Sequence, residues 1–159
     1  MSKNKINIYI KKMKKLLTII GVTLLTAFVS GCGKSGCTDA NAVNFESGAK
    51  KDDGSCTYKG NVVFWYGKST ADKLVAGGST ALTYYVDSKL VGSGAANVYW
   101  TGAVGPECSQ PQSVTITKDL GIAKNKTYSY TIKDQDGDEI WTGVVNFTAN
   151  TCLKMELTY

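Results

Sequence analysis

Two residue types that often carry catalysis are missing from this chain of 159 residues. It contains no histidine, and all 18 of its basic residues are lysine, so arginine is absent as well. Without histidine the chain lacks the commonest general base and the commonest metal ligand. Without arginine it lacks bidentate clamps for carboxylates and phosphates. The sequence therefore predicts a protein that is not an enzyme.

A long apolar run is missing too. The one extended run, residues 16–29, has 14 residues, whereas a membrane-spanning helix needs about 20. Six lysines precede this run, and the small-residue stretch Val-Ser-Gly-Cys follows at 29–32. A basic region, an apolar region and a small-residue cleavage site in this order are typical of a secretory signal peptide. The sequence therefore predicts an exported protein.

The Val-Ser-Gly-Cys stretch resembles the lipobox of bacterial lipoproteins. The resemblance implies that residues 1–31 are a cleaved signal peptide and that Cys32 carries diacylglyceryl and a further acyl chain such as palmitate. Residues 32–36 would then be a tether, and the membrane would be a partner through Cys32. The alternative is that residues 1–31 remain as an anchor and Cys32 is incidental. Gly33 stands where many inner-membrane lipoproteins carry aspartate, which favours the outer membrane and leaves its face open.

Removing the leader changes the charge of the protein. The net charge of +5 includes six leader lysines, so the mature chain keeps 18 − 6 = 12 basic residues against 13 acidic ones. A net charge of about −1 gives no electrostatic basis for binding nucleic acid. We therefore predict no nucleic-acid partner.

Four cysteines remain after Cys32. An even number in an exported chain indicates disulfides, with three possible connectivities. A zinc site built from four thiolates would need paired CxxC spacings, which this chain lacks. Sequence proximity favours the pairs Cys37–Cys56 and Cys108–Cys152.

Residues 36–58 form a short segment bounded by cysteines, Gly-Cys-Thr-Asp at one end and Asp-Asp-Gly-Ser-Cys at the other. The segment resembles a repeat of exported Bacteroidetes proteins that is similar to calcium-binding thrombospondin type 3 repeats. Oxygen-bearing side chains of this kind suit calcium. The alternative is that these side chains cap turns and that residues 37–58 act as a compact spacer. The candidate ligands are Asp39, Asn44, Asp52 and Asp53.

Residues 59–159 carry the pattern of a β-domain. Short runs rich in β-branched and aromatic residues alternate with glycine, serine and aspartate clusters, which predicts antiparallel strands around a core. We predict an all-β antiparallel β-sandwich of about seven or eight strands, immunoglobulin-like or transthyretin-like, and no helix of ordinary length. The closing pattern Pro-x-Cys, Tyr-Ser-Tyr, Trp-x-Gly and a last Cys resembles small Bacteroidetes lipoproteins of unknown function. The predicted strands are 61–66, 81–86, 89–92, 97–101, 113–118, 126–133, 139–147 and 153–159.

Two further groups of residues could bind a ligand. Asp134, Asp136 and Asp138 could form a calcium loop, although Asp-Gly between alternating strands favours a hairpin turn. Four aromatic residues could form a stacking platform for sugars or peptides, or could instead lie in the core or cover a sheet. The aromatic candidates are Trp65, Tyr85, Trp100 and Trp141.

Together these features predict a non-catalytic, lipid-anchored envelope lipoprotein that acts as a binding or structural module. Its partner would be another envelope protein or a glycan, and calcium is the one cofactor considered. The alternatives are a carbohydrate-binding accessory lipoprotein and a calcium-stabilised adhesion module. An exposed row of aromatics would favour sugars, whereas a flat polar sheet with an apolar edge would favour protein contact.

Overall fold

The structure is a computed structural model that describes residues 33–159. The predicted signal peptide and the predicted lipidation site Cys32 lie outside the described residues. Residues 34–159 form one compact unit. The described elements, in chain order, are β1 Ser35–Gly36, β2 Lys51–Asp52, β3 Tyr58–Trp65, α1 Lys68–Ala76, β4 Ala81–Val86, β5 Lys89–Ala95, β6 Val114–Gly121, β7 Asn125–Asp134, β8 Glu139–Thr148 and β9 Cys152–Glu156.

Two sheets make the β-sandwich that the sequence predicts. One has three strands in the order β6-β3-β9, and the other has four in the order β5-β4-β7-β8. All pairs in them are antiparallel except β3 with β9, which is parallel. The short strands β1 and β2 form a separate parallel pair within the cysteine-bounded segment.

The strand order separates the two sandwich types that we predicted. If the seven strands from β3 to β9 are lettered A to G, the sheets read D-A-G and C-B-E-F. Immunoglobulin constant domains instead combine A-B-E-D with C-F-G. The order of this protein therefore favours the transthyretin-like alternative.

The core lies between the sheets and follows from the alternation of side chains along the strands. In β4, Leu82, Tyr84 and Val86 are buried, while the residues between them are half-buried. In β7 and β8, Ile132 and Phe147 are fully buried. At about 25 cal/mol per Å² of apolar surface removed from water, such side chains supply the main favourable free energy of folding.

The second half of strand β3 departs from simple alternation because both of its faces are buried there. Val62 and Phe64 belong to the central core, and their neighbours Val63 and Trp65 are buried as well. Gly105, in the long connection from β5 to β6, lies directly over the Trp65 ring. This connection therefore covers the outer face of the three-stranded sheet at Trp65.

Helix α1 was not predicted. It has nine residues, and its N-cap Gly67 makes no side-chain capping hydrogen bond. Isolated helices of this length are unstable in water, so most of its stability must come from packing. Its buried face, Thr70, Ala71 and Leu74, supplies that packing.

The predicted strand at 97–101 was wrong. The residues after Ala95 form a turn and then irregular chain. Their backbone donors are distributed between different partners: Val98 N donates to Ala95 O at 3.2 Å, and Trp100 N donates to Tyr66 O at 3.0 Å. Because these bonds do not follow one neighbouring strand, no sheet ladder forms.

Candidate functional site

Both disulfides form in the pairing that sequence proximity favoured. Cys37 bonds to Cys56 with 4.9 Å between their Cα atoms, and Cys108 bonds to Cys152 with 5.8 Å. The first bridge closes the cysteine-bounded segment. The second attaches the β5–β6 connection to the start of β9.

Asp39, a candidate calcium ligand, is engaged by its neighbours. Its Oδ2 lies 2.7 Å from the Lys124 ammonium and accepts the Tyr58 hydroxyl at 2.9 Å, while its Oδ1 accepts the Asn41 backbone N–H at 2.9 Å. The hydrogen bond from Lys124, followed by those from Asn41 and Tyr58, lowers the pKa of Asp39 to about 2. Asp39 therefore ties the cysteine-bounded segment to β3 and to the turn before β7.

The other three candidates in this segment hold turns. Asn44 donates from Nδ2 to Ser55 O at 2.7 Å, and its Oδ1 accepts Thr57 N at 2.8 Å. Asp52 and Asp53 each accept a backbone N–H two residues further on. This is the arrangement of the turn alternative.

The Asp134 region is a hairpin connection between β7 and β8. Asp134 Oδ1 accepts the backbone N–H groups of Asp136 and Asp138, both at 3.0 Å, and Gly137 has a φ of 90°. Across residues 33–159, no three carboxylate or cysteine groups are placed so that they could hold a metal ion. The candidate carboxylates therefore do not form a cluster of three within residues 33–159, and calcium binding stays a prediction.

The four aromatic candidates do not form one platform. Trp65 is only 6% exposed and sits beneath Gly105. Trp141 packs between Tyr66 and Tyr159, with ring centres 6.0 and 6.1 Å apart, and its Nε1 donates to Thr158 O at 2.8 Å. These two tryptophans cover and extend the core, as the alternative interpretation held.

The other two aromatic candidates are half-buried and lie apart. Tyr85 lies on the opposite side of β4 from the buried Tyr84, on the outer face of the four-stranded sheet. Trp100 borders a small cavity of about 30 Å³ that Trp65 also lines. A cavity of this size holds about one water molecule and is too small for a sugar ring.

An open groove of about 490 Å³ instead lies beside α1. The helix forms one wall, and the irregular segment after β5 forms the other. Volumes between about 300 and 1,000 Å³ are typical of small-ligand sites. The lining residues are Ala71, Asp72, Val75, Ala76, Asn97 and Tyr99.

Tyr66 fixes the wall opposite the helix. Its hydroxyl donates to Ala96 O at 3.2 Å, and its backbone oxygen accepts Trp100 N at 3.0 Å. Burial raises the pKa of Tyr66 to about 12, so its hydroxyl stays protonated as a donor at neutral pH. Two bonds from one core residue thus hold the segment that presents Tyr99.

The groove combines apolar surface with charge. Val75 is 51% exposed and Tyr99 is 39% exposed. Lys68 Nζ lies 2.7 and 2.8 Å from the two Asp72 carboxylate oxygens and 5.8 Å from the centre of the Tyr99 ring. The hydrogen bond to Asp72 raises the pKa of Lys68. The groove can therefore offer an aromatic face, a carboxylate and the Asn97 amide to one ligand.

The sequence analysis did not predict this groove because it did not predict helix α1, which forms one of its walls. One signal was present: Lys68 and Asp72 have the i, i+4 spacing of a helical ion pair, and Ala71, Leu74 and Val75 have helical apolar spacing. The position of Tyr99 in the groove could not have been predicted, because it depends on residues 97–101 being irregular chain and not the strand that the sequence predicts.

Within residues 33–159, helix α1 lacks the length and the apolar character that crossing a membrane requires. Comparisons of the chain with protein-family models, with curated proteins and with solved structures find no match.

Proposed function

We propose that this protein is a non-catalytic, lipid-anchored binding module of the bacterial cell envelope, with the α1 groove as its binding site. The anchor rests on the resemblance of residues 29–32 to a lipobox. The binding role rests on the groove, which brings the exposed Tyr99 ring, the Asp72 carboxylate and the Asn97 amide around one opening.

The groove suits a segment of another envelope protein. Val75 and the aliphatic wall of Ala71 and Ala76 can cover one apolar side chain. Asp72 and Asn97 can accept or donate hydrogen bonds at the rim. Few apolar contacts and a polar rim are the usual composition of a modest, reversible protein contact.

A glycan is the second candidate, and Tyr99 favours it. A sugar ring can lie on an exposed aromatic face while a carboxylate and an amide bind its hydroxyls. Asp72 and Asn97 line the same groove as Tyr99. This candidate uses one tyrosine rather than the row of aromatics that we predicted.

Thermal unfolding of residues 34–159 tests the groove. The protein is screened against oligosaccharides of glucose, mannose and N-acetylglucosamine, and against peptides from envelope proteins. A ligand at 100 times its Kd should stabilise the fold by about 2.7 kcal/mol. Tyr99→Ala should abolish the shift, and Tyr85→Ala is the matched control because it removes a half-buried tyrosine outside the groove.

The class of ligand that gives the shift distinguishes the two candidates. A shift that persists in Tyr99→Ala would place binding elsewhere on the molecule. No shift with either class would contradict the binding role.

The anchor is tested on the full-length chain expressed in a Gram-negative host. Mass spectrometry should find Cys32 as the modified amino terminus, and Cys32→Ala should leave an unprocessed precursor. An unmodified Cys32 within a longer chain would contradict the lipoprotein proposal.

A further inference from the structure

The folded unit begins close to the predicted lipidation site. Strand β1 starts at Ser35, so Gly33 and Lys34 alone separate it from Cys32. At about 3.6 Å per residue, the chain from Cys32 to Ser35 spans at most about 11 Å. The polar headgroup layer on each side of a bilayer is itself about 5–8 Å thick. With a lipid anchor at Cys32, the chain around Ser35 therefore lies at the bilayer surface.

Strand β1 is fixed to the rest of the unit and cannot lengthen this connection. It pairs with β2, and the backbone N–H of Lys50 donates to Lys34 O at 2.8 Å. Directly after β1, Cys37 is buried and forms its disulfide with Cys56. An anchor at Cys32 therefore brings one defined part of the unit, the residues around β1 and β2, to the membrane.

The residues around β1 and β2 suit a phospholipid surface. Lys50 and Lys51 are exposed, and within residues 33–159 neither of them forms an ion pair. Phe45 is 44% exposed, and it precedes Glu46, whose carboxylate pairs with Lys34 beside β1. Lysines that bind headgroup phosphates, together with an aromatic side chain that enters the interface, are typical of surfaces that lie on a bilayer.

The carboxylates of this region are engaged within the protein. Glu46 pairs with Lys34, as described above, and Asp39 pairs with Lys124. Asp52 and Asp53 each accept a backbone N–H two residues further on. Lys50 and Lys51 can therefore bind headgroup phosphates without first breaking an ion pair.

The α1 groove lies at the other end of β3 from the cysteine-bounded segment. Strand β3 begins at Tyr58, whose hydroxyl donates to Asp39 of that segment. It ends at Trp65, and the next residue, Tyr66, fixes one wall of the groove. At about 3.3 Å per step, β3 places its first and last Cα atoms roughly 23 Å apart. A unit that rests on its cysteine-bounded segment therefore holds the groove away from the bilayer.

We propose that the membrane-facing surface, formed by Phe45, Lys50 and Lys51, lies on phospholipid headgroups and that the α1 groove is the membrane-distal end of the protein. The inference rests on the lipid anchor of the proposed function and adds the orientation of the folded unit and a second ligand, the headgroup phosphates. A ligand of the groove then approaches from the aqueous side. The cysteine-bounded segment contacts the membrane and also acts as the spacer below the groove.

Amine footprinting of the full-length chain tests the orientation. The lipidated protein is added to vesicles of phosphatidylethanolamine and phosphatidylglycerol, acetylated with a membrane-impermeant reagent and analysed by mass spectrometry. Compared with residues 34–159 in solution, labelling of Lys50 and Lys51 should fall about fivefold, which corresponds to about 1 kcal/mol for each lysine at an anionic surface. Lys68 and Lys73 are exposed lysines of α1 and serve as the control within the same molecule. Their labelling should be equal in both samples.

Quenching by spin-labelled lipid tests the orientation independently. Phe45→Cys and Val75→Cys each replace an exposed apolar side chain and each carry an environment-sensitive fluorophore. Val75 lines the α1 groove and is the matched control. Spin-labelled lipid should quench the fluorophore in Phe45→Cys and leave that in Val75→Cys unchanged. Circular dichroism confirms that both variants are folded.

Mass spectrometry of the same samples separates this inference from the anchor on which it rests. An unmodified Cys32 would overturn both. A lipidated Cys32 with equal protection of the two lysine pairs, or with protection of neither pair, would overturn the orientation alone. Quenching in Val75→Cys as strong as that in Phe45→Cys would also overturn the orientation.

Discussion

Removing the Cys108–Cys152 disulfide should cost more stability than removing the Cys37–Cys56 disulfide. The bridge closes a loop with a sequence separation of 44, and the chain-entropy relation then gives about 4 kcal/mol. The Cys37–Cys56 bridge, with a separation of 19, gives about 3 kcal/mol by the same relation. We therefore expect Cys108→Ala/Cys152→Ala to lower the free energy of unfolding by about 0.7 kcal/mol more than Cys37→Ala/Cys56→Ala.

Urea unfolding followed by tryptophan fluorescence measures both double variants. It also reports on the β5–β6 connection, because loss of the Cys108–Cys152 bridge frees the part of this connection that covers Trp65. A red shift of the native emission is expected in this variant and not in the Cys37→Ala/Cys56→Ala control. The reasoning is refuted if the Cys108–Cys152 variant loses less stability than the control, or if its native emission is unchanged.

Three further perturbations test the packing and the charge pair at Asp39. Gly105→Ala places a methyl group into the Trp65 ring and should cost about 1–3 kcal/mol in urea unfolding; an unchanged midpoint would contradict this. Phe147→Ala should cost about 3–5 kcal/mol because Phe147 is fully buried, while Asn146→Ala, at an exposed residue, should change stability by less than about 0.5 kcal/mol. Because the pKa of Asp39 falls from 3.8 to about 2 on folding, its contribution is present above about pH 4 and is lost as pH falls towards 2. The wild type should lose stability across this window more steeply than Asp39→Asn, and parallel pH profiles would contradict the link.

Alternation predicted the strands well wherever one face meets the core and the other meets solvent. The Tyr130 and Ile132 face of β7 is the buried face, as the pattern indicated. Prediction from residue type failed at 97–101, where aromatic and β-branched residues suggested a strand. There Tyr66, a residue distant in sequence, supplies the hydrogen bonds that hold the chain in an irregular path. Such a contact has no local signature.

The aromatic candidates show the same limit. Trp65 is a predicted ligand-binding residue, although it lies within an unbroken apolar run, residues 62–66. An unbroken run of this length indicates a strand buried on both faces. Reading it so would have placed Trp65 in the interior, but it could not have identified Gly105 as the residue that covers it.

The β5–β6 connection links the stability of the sandwich to the shape of the groove. At its start Tyr66 fixes the segment that presents Tyr99. Towards its end the Cys108–Cys152 bridge and the Glu107–Lys154 ion pair attach it to β9. A segment held at both ends loses little conformational freedom when a ligand binds, so more of the contact energy remains as affinity. It follows that loss of the Cys108–Cys152 bridge should weaken ligand binding at Tyr99, although the bridge does not line the groove.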